Sequence, residues 1–428
     1  MTQNISTIIS QINTTLGQHL TTNQTIAIGV SGGGDSMALL LALHHYDAEN
    51  KLNLNIVALT VDHKLRVAAA TEAIQVAKWC ANLGIEHHTM VWDFEHKPGS
   101  AVQEKARKAR YKLIGEYCQT HDIKSLFLAH NLEDNAETLL MRLKRGAGLR
   151  GLSAIAEVSH RQVKGGFSYA VIRPFLAVKR ADLRGYLSHF GQIWYDDESN
   201  VDMAYERVRL RQFLTDNDWL KSENLAQSAG RLARANDALE YYVDQFWQAK
   251  IKLLNYGIAK LDYEVLRAQP MEIQLRLLAR LIWSIGGQDN PPRWQKIENL
   301  HTQLAGAAVK LQVCLGNCVV VLKKNQLWFG YENRTSDYNS AHKLPANQQI
   351  LWQNRLLIAN QTQQGFEVVN LQINKLYKNQ LIDAIDELKD CPQSVLKTMP
   401  IFLAPNGELL HPIAKPKAGL NISLKTQT

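Results

Sequence analysis

The chain has 428 residues, of which 46% are hydrophobic and 21% are charged, a composition typical of folded globular protein. These values exclude wholesale disorder, and the modest content of 25 glycines and 11 prolines excludes collagen-like sequence. The formal net charge of +8 suggests a polyanionic partner, and the surplus of Lys and Arg is concentrated in residues 101–150 and 251–350.

Neither membrane insertion nor export is predicted. No apolar run approaches the roughly 20 residues that cross a bilayer. The first fifty residues contain no Lys or Arg, which secretory signals and transit peptides need. Five scattered cysteines fit a reducing compartment better than a disulfide framework. We therefore expect a cytoplasmic protein with no membrane partner.

The first half of the chain alternates between strand and helix patterns. Apolar runs typical of buried strands lie at Thr25–Val30, Leu54–Asp62, Glu86–Trp92 and Ser125–His130. Helical patterns follow them at Ser36–Tyr46, Thr71–Gly84, Ala101–His121 and Glu133–Lys144. This order predicts a parallel, doubly wound (Rossmann-like) α/β sheet, extended by a fifth strand near Ala170 and a helix ending at Gly191.

In the second half, helices come first and strands later. A long amphipathic helix is predicted from Ser222 to about Asn255, and a second helical block at Tyr263–Gly286. The sequence becomes strand-like after Val309, and one more helix is predicted near Ile382–Asp390. We thus predict four segments: an α/β domain over 1–218, a helical and strand domain over 219–331, a linker over 332–350 and a small α+β domain over 351–428.

The strongest chemical signal, placed between the first strand and the first helix, is the run Ser31-Gly32-Gly33-Gly34-Asp35-Ser36. Glycines allow a tight turn and let backbone N–H groups approach phosphate oxygens, and a helix N-terminus adds positive potential there. A flexible linker is the competing interpretation, but linkers do not join a buried strand to an apolar helix. The common loop GxxxxGK[ST] is excluded because no Lys follows the glycines.

A carboxylate inside a phosphate-binding loop predicts a divalent cation. Asp35 would repel phosphates unless a cation lay between them, so we expect Asp35 to hold Mg²⁺. The run S-G-G-x-D-S resembles the PP-loop family of ATP pyrophosphatases. That resemblance implies cleavage of ATP between its α and β phosphates, with transfer of AMP to an oxygen atom.

A second polar group, residues 129–138, follows the fourth strand and therefore faces the same sheet edge as the loop. Within it, His130, Asp134 and Glu137 can share one helical face through their three- and four-residue spacing. An acidic first turn stabilised by the helix dipole is the competing interpretation. The nearby phosphate loop favours a catalytic group instead.

The segment from Arg142 to Leu152 is basic and rich in glycine. A solvated helix end and turn would explain it. Its position close to a nucleotide site favours contact with phosphate or RNA, for which Arg145 and Arg150 are candidates.

Together these segments resemble the tRNA(Ile)-lysidine synthetase family, which carries S-G-G-x-D-S, V-D-H-x-L-R, H-x-x-D-D-Q-x-E-T and R-G-x-G-x-x-G-L. The second motif matches residues 61–66 here. Further resemblances are Arg173-Pro174 to an R-P segment, Asp197–Asn200 to D-x-S-N, and Arg207–Arg211 to R-N-x-x-R. Three positions depart from the pattern, because Glu133 and Asn135 replace Asp and Gln, and Val208 replaces Asn.

The resemblance implies a ligase that uses ATP and Mg²⁺. ATP would adenylate O2 of the wobble cytidine in an isoleucine tRNA with a CAU anticodon. The amine of free lysine would then displace AMP to give lysidine, switching codon reading from AUG to AUA. By motif match, the catalytic residues would be Asp35, Asp134 and Glu137, and the metal ligand Asp35. The nucleotide would be bound by Ser31, Gly32, Gly33, Gly34, Asp35, Ser36, Val61, His63 and His130.

A tRNA partner would also explain the basic surplus. Contacts with it are expected from Arg145, Arg150, Arg207 and Arg211, and the two domains after residue 218 would position the tRNA. Some tryptophans could stack on bases, but helical or alternating spacing predicts that most of them lie in the core. The six considered are Trp219, Trp247, Trp283, Trp294, Trp328 and Trp352.

Three other functions compete with this one. A tRNA thiolase would need a reactive cysteine near the loop, whereas Cys80 and Cys118 lie on predicted helices. A GMP or asparagine synthetase would carry a glutaminase, and the N-terminal Met here is followed by Thr rather than Cys. A tRNA-binding protein with a decayed ATP site is disfavoured by the intact Asp35 and Asp134.

Overall fold

The computed structural model describes residues 4–64, 68–93, 102–163, 166–196, 202–254, 256–307, 310–333, 341–371, 382, 385–411 and 418–424. The predicted motif at Asp197–Asn200 lies outside the described residues, as do Leu65 and Arg66. The chain divides into two compact units, one ending at Asp237 and the other beginning at Ala238. Across the described residues, no helix is both long and apolar enough to cross a membrane.

The first unit is built around a six-stranded sheet. Its strands are β1 (Thr25–Gly29), β2 (Asn55–Asp62), β3 (Glu86–Val91), β4 (Ser125–Phe127), β5 (Val158–Gln162) and β6 (Ser168–Ile172). They lie in the order β3-β2-β1-β4-β6-β5, and every neighbouring pair is parallel except β5 with β6. The predicted parallel α/β sheet is confirmed, with one antiparallel edge strand that the sequence pattern did not reveal.

Helices cover both faces of this sheet. They are α1 (Ile5–Gly17), α2 (Gly34–Asn50), α3 (Ala68–Asn82), α4 (Val102–Thr120), α5 (Leu132–Lys144), α6 (Leu149–Leu152), α7 (Arg180–His189) and α8 (Glu206–Asp216). Ile26 and Ile28 pack in one buried cluster with α1, α2 and α7, whereas Ala27 packs in another with α4. Because successive side chains of a strand point to opposite faces, β1 contributes to both cores.

The second unit begins within the predicted long helix, α9 (Ser222–Lys250), and continues with α10 (Tyr263–Arg267), α11 (Met271–Gly286) and α12 (Trp294–Gly306). The single helical block predicted at Tyr263–Gly286 is therefore two helices. Pro270 precedes α11 and explains the break, because proline has no N–H to continue a helix begun before it.

Three antiparallel sheets complete the second unit. Five strands form the order β7-β8-β11-β10-β9: β7 (Lys252–Leu254), β8 (Ile258–Asp262), β9 (Lys310–Leu315), β10 (Cys318–Lys323) and β11 (Gln326–Tyr331). Seven shorter strands follow: β12 (His342–Leu344), β13 (Gln348–Trp352), β14 (Leu356–Asn360), β15 (Phe366–Asn370), β16 (Pro400–Leu403), β17 (Leu409–Leu410) and β18 (Leu420–Leu424). They form the orders β12-β15-β16-β17 and β13-β14-β18.

Two predicted segments differ from the structure in this unit. The stretch 332–350, predicted as a linker, contains β12 and the start of β13. Where a helix is predicted at Ile382–Asp390, Ile382 is helical, but the later described residues form a 3₁₀ turn at Asp386–Leu388, and a short helix α13 follows at Gln393–Leu396. The three boundaries between the four predicted segments stay a prediction.

Candidate active site

The phosphate loop, residues 31–36, connects β1 to α2 and is closed by its own serines. Ser36 Oγ donates to the Gly33 carbonyl oxygen (2.9 Å) and accepts a hydrogen bond from the Ser31 N–H (3.2 Å). Gly33 caps α2 without a side chain, so the first N–H groups of this helix remain available to an anion.

A strand-like contact with Tyr195, which follows α7 in the chain, holds this loop. The N–H of Tyr195 donates to the Gly32 carbonyl oxygen (2.9 Å), and Tyr195 pairs with Gly33 in a parallel bridge. Gly32 has a φ of +84°, and a Cβ there would lie 3.0 Å from Val76 and 3.2 Å from the Tyr195 ring. Both the backbone conformation and the available space therefore favour glycine at position 32.

Asp35 and Asp134 form the acidic pair of the site, and Asn131 contacts both. Its Nδ2 donates to Asp35 Oδ2 (3.0 Å), while its Oδ1 accepts from the Asp134 N–H (2.9 Å). Asn131 is fully buried and caps α5. Burial raises the pKa of Asp35, an effect that Arg180 opposes and Asp134 reinforces.

Arg180, the first residue of α7, contacts both members of the acidic pair. Its Nε lies 3.4 Å from Asp35 Oδ2, and its Nη2 lies 3.4 Å from Asp134 Oδ1. Its backbone N–H donates to Glu133 Oε2 (3.0 Å). Burial alone would lower the pKa of Arg180, but the surrounding carboxylates, with Asp134 foremost, raise it.

Glu137, which the sequence predicts to be catalytic, is fully buried and is not among the described residues that line the cavity. Its Oε1 accepts a hydrogen bond from Arg211 Nε (3.0 Å). Burial raises the pKa of Glu137, and Arg211 opposes that shift. Glu137 thus joins α5 to α8 and orients Arg211, which does line the cavity.

The phosphate loop and Asp134 share one cavity of about 870 Å³ within the first unit. Four arginines from α4 and α8 also line it, and we call them the basic wall: Arg107, Arg110, Arg207 and Arg211. The cavity therefore offers carboxylates suited to a cation and guanidinium groups suited to an anion.

His63 and His130 line the same cavity and are neutral near pH 7. Burial is the main reason that the pKa of each is lowered to about 4. Arg110 lowers the His63 pKa further and lies 3.3 Å from its Nε2, whereas Asp134 partly offsets the shift at His130. Within the described part of the chain, the buried Nδ1 of His130 has no hydrogen-bond partner.

Tyr111 lies against the basic wall and also lines the cavity. Arg107 Nη2 donates to its hydroxyl (3.4 Å), and the Arg161 guanidinium lies 3.6 Å from its ring centre. Burial alone would raise the pKa of Tyr111, but Arg107, Arg173 and Arg161 outweigh it and lower that pKa.

The structure brings together most of the residues predicted to bind nucleotide. Those that line the cavity are Ser31, Gly33, Gly34, Asp35, Ser36, Val61, His63 and His130. Of the predicted RNA contacts, Arg207 and Arg211 line it, whereas Arg145 and Arg150 are exposed elsewhere on the unit. Sequence reasoning missed Asn131, Arg180 and Tyr111, and the basic pattern of the fourth helix was the one signal for Arg107 and Arg110.

Comparison with known proteins shows which family the chain belongs to. A profile of the PP-loop domain, ATP_bind_3, matches residues 2–218. The tRNA(Ile)-lysidine synthase of Ruegeria pomeroyi is 33% identical over 336 residues, which cover 78% of this chain and 76% of that protein. That of Wolbachia pipientis is 29% identical over 394 residues, covering 91% of this chain and 89% of that protein.

The chain belongs to the tRNA(Ile)-lysidine synthase family. This confirms the resemblance carried by residues 26–211, and it makes the chain a PP-loop enzyme that uses ATP. Among solved structures, the U34-tRNA thiolase NcsA of Methanococcus maripaludis aligns with a TM-score of 0.45 and 18% identity, covering 55% of this chain and 79% of that one.

Proposed function

We propose that this enzyme ligates free lysine to C2 of the wobble cytidine in the CAU-anticodon isoleucine tRNA, forming lysidine. ATP is converted to AMP and pyrophosphate, and the modified anticodon reads AUA in place of AUG. The observation that carries the proposal is one cavity in which the phosphate loop, the acidic pair and the basic wall meet, in a chain of this family.

The reaction has two displacements. In the first, O2 of the cytidine attacks the α-phosphorus of ATP and pyrophosphate leaves. In the second, the neutral amine of lysine attacks C2, and AMP leaves with the former O2. Adenylation is needed because it converts a poor leaving oxygen into a good one, and the amine must lose a proton to become nucleophilic.

The phosphate loop is suited to the pyrophosphate group of ATP. Ser31, Gly33, Gly34 and Ser36 line the cavity beside the N-terminus of α2, and Gly32 gives the turn its shape. Backbone N–H groups at a helix start bind phosphate oxygens without needing a lysine. Val61, His63 and His130 lie on the walls where the rest of the nucleotide would be held.

The acidic pair fits a magnesium ion that is completed by phosphate oxygens. Asp35 and Asp134 both contact the cationic guanidinium of Arg180, so a positive charge already lies beside both carboxylates. The described residues contain no cluster of three or more His, Cys, Asp or Glu that would bind a metal unaided. Mg²⁺ prefers one or two carboxylates together with phosphates and water, and it would neutralise charge that develops on the phosphates.

Lysine is assigned to Asp134 and Glu137 in different capacities. Asp134 lines the cavity, so its carboxylate can orient the cationic amino acid or take up the amine proton. Glu137 is buried behind Arg211, so it acts through that side chain. Arg211 and Arg207 are then placed to contact either the amino-acid carboxylate or the tRNA backbone.

The tRNA is assigned to basic surface next to the cavity and to the second unit. Arg145 Nη2 and Lys144 Nζ both bind Glu206, at 2.9 and 3.0 Å, which holds the end of α5 against the start of α8. Of the six tryptophans considered, Trp219 is 76% exposed and Trp294 40%, whereas Trp328 and Trp352 are buried. Trp219 and Trp294 are therefore the candidates for base stacking.

The cysteines argue against a thiolase. Cys80 and Cys118 are buried, and burial raises the pKa of their thiols to about 11 and about 12. A sulfur-transfer enzyme needs a thiolate, which such groups do not form near neutral pH. In the described part of the chain, no cysteine lines the cavity.

The deciding experiment follows labelled lysine and pyrophosphate together. Purified protein is incubated with ATP, Mg²⁺, radiolabelled lysine and an isoleucine tRNA with a CAU anticodon. We expect one lysine incorporated per pyrophosphate released, and no incorporation into the same tRNA with a GAU anticodon. Pyrophosphate release without lysine incorporation would show that the chain activates tRNA for another nucleophile.

A further inference from the structure

Arg180 contacts the two carboxylates of the proposed magnesium site. Its guanidinium contacts Asp35 Oδ2 and Asp134 Oδ1, each at 3.4 Å. The side chain of Arg180 is 18% exposed, and those of Asp35 and Asp134 are 27% and 15% exposed. The three charges therefore interact in a partly dehydrated corner of the cavity, where such interactions are screened less than at the surface.

The backbone around Arg180 is fixed, but its ion pairs are loose. Its N–H is held by Glu133 Oε2 at 3.0 Å, and Asn131 keeps Asp35 and the start of α5 together. Charge-assisted hydrogen bonds of full strength have N···O distances of about 2.7–2.9 Å, so both guanidinium contacts are longer than optimal. A fixed stem with exchangeable end contacts allows the side chain to leave the carboxylates without moving the helix.

We propose that Arg180 is a resident counter-cation: it occupies the acidic pair when nucleotide is absent, excludes free divalent cations, and turns to the triphosphate when magnesium arrives with ATP. The inference rests on the proposed magnesium and ATP site. A guanidinium and Mg²⁺ at the same carboxylate oxygens repel each other, so the metal can enter only if the arginine finds another anion. The triphosphate is that anion, and Mg²⁺ and ATP therefore bind as one unit.

The test measures Mn²⁺ binding to the nucleotide-free, full-length protein, with Mn²⁺ as a paramagnetic substitute for Mg²⁺. Arg180→Gln removes the guanidinium, and we expect its Mn²⁺ affinity to exceed that of the wild type by about ten- to a hundredfold. Arg180→Met, which keeps an unbranched apolar stem, should show the same gain and serves if the glutamine variant does not fold. Adding Asp35→Asn to either variant should abolish the gain.

Arg184→Gln is the matched control. Arg184 lies one turn further along α7 and lines the same cavity, but its partner is Asp196, at 2.6 Å. Its removal deletes the same charge without uncovering the acidic pair, so Mn²⁺ affinity should stay at the wild-type value. An equal gain in Arg184→Gln would overturn the proposal by showing a general effect of cavity charge.

A second measurement tests the turn toward the triphosphate. Calorimetric titration of Arg180→Gln with Mg·ATP should show about tenfold weaker nucleotide binding, because the triphosphate loses a cationic donor. Unchanged Mn²⁺ affinity or unchanged Mg·ATP affinity in this variant would overturn the proposal. Neither titration contains tRNA or lysine, so a failure here is distinguishable from a failure of the lysine-ligase assignment.

Discussion

Two arginines, Arg180 of the first unit and Arg355 of the second, are bound in opposite ways. In the first unit, Arg180 contacts the carboxylates of Asp35 and Asp134 on the wall of a cavity. In the second unit, Arg355 is fully buried, and within the described residues its hydrogen-bond acceptors are all uncharged. A ligand can take the place of the carboxylates that contact Arg180, whereas the neutral oxygens that bind Arg355 cannot be replaced in this way.

The partners of Arg355 show what a structural arginine looks like. Its guanidinium donates to the carbonyl oxygens of Gly257 (2.8 Å) and Thr398 (3.1 Å) and to Gln353 Oε1 (3.0 Å). These acceptors belong to three separate segments of the second unit, which one side chain thereby joins. Burial lowers the pKa of Arg355 to about 9, the cost of holding a charge among neutral groups. The kind of partner, rather than burial alone, distinguishes Arg180 from Arg355.

The largest expected effect breaks the chemistry of the first unit. Asp35→Asn keeps the shape and the contact with Asn131 but removes a carboxylate from the proposed magnesium site. We expect pyrophosphate release to fall about a thousandfold, with the thermal unfolding curve nearly unchanged. The exposed Glu116→Gln on α4 is the control for an arbitrary loss of negative charge and should keep full activity. Normal release by Asp35→Asn would remove Asp35 from the metal site.

The next largest effect lowers the stability of the second unit and leaves ATP binding by the first unit unchanged. Arg355→Leu leaves two buried carbonyl oxygens without a donor, so the free energy of unfolding of that unit should fall by about 3 kcal/mol. Urea denaturation, analysed for the separate unfolding of the two units, measures this, and ATP affinity should stay unchanged. Arg267→Leu, which removes a surface pair with Glu264, should cost under about 1 kcal/mol. Equal losses of unfolding free energy in the two variants would show that Arg355 does not hold the three segments together.

A smaller effect separates direct from indirect action of Glu137. Glu137→Gln should raise the lysine requirement about tenfold while adenylation of tRNA continues, because Arg211 loses its charged partner. Arg211→Gln should have a similar effect, and the double variant should be little worse than either single variant. Quantifying adenylated tRNA and lysidine separately gives the extent of adenylation and the lysine requirement of each variant. Additive losses would instead show that Glu137 acts on lysine independently of Arg211.

The smallest expected effect is a pH dependence of the unfolding free energy of the second unit. His411 is buried, and burial lowers its pKa to about 4, against the ordinary value of about 6.5. The unfolded chain therefore takes up a proton as the pH falls below about 6.5, while the folded unit does so only near pH 4. The resulting loss of unfolding free energy is about 1 kcal/mol at pH 5.5. His411→Phe should remove that part of the pH dependence, and a slope identical to the wild type would assign it to other groups.

Local patterns in the sequence were sufficient for the five parallel strands of the sheet and for the phosphate loop. Residues 31–36 and 129–138 each follow a buried strand, and parallel strands bring both to the same edge, where the structure has them. Helix α1 was not predicted although Ile8, Ile12 and Leu16 recur at helical spacing, whereas the polar character of α8 hid that helix, and the edge strand β5 has only the weak alternation of a half-exposed strand. The place of α8 depends on its packing beside α5, and that of β5 on its pairing with β6, neither of which local periodicity shows.

The contacts that organise the site were outside the reach of sequence reasoning. Arg180 is 145 residues from Asp35, and the sequence shows it only as the start of an amphipathic helix. Asn131 looks like an ordinary helix cap, and nothing local indicates that its side-chain nitrogen Nδ2 donates a hydrogen bond to Asp35. Glu137 matches a catalytic motif, yet whether it faces a cavity or the interior depends on α8, which packs beside α5. Each of these properties depends on which distant segment becomes a neighbour.

The backbone contact between Tyr195 and the phosphate loop bears on how this protein is made. The loop is synthesised early, but the hydrogen bond to Gly32 and the bridge to Gly33 need a residue more than 160 positions later in the chain. Domains fold during synthesis from the N-terminus as their segments become available. A nascent chain stalled before Tyr195 would therefore contain all the glycines of the phosphate loop but lack the backbone hydrogen bond and the bridge that hold them. ATP affinity should then develop on the ribosome only after Tyr195 has emerged.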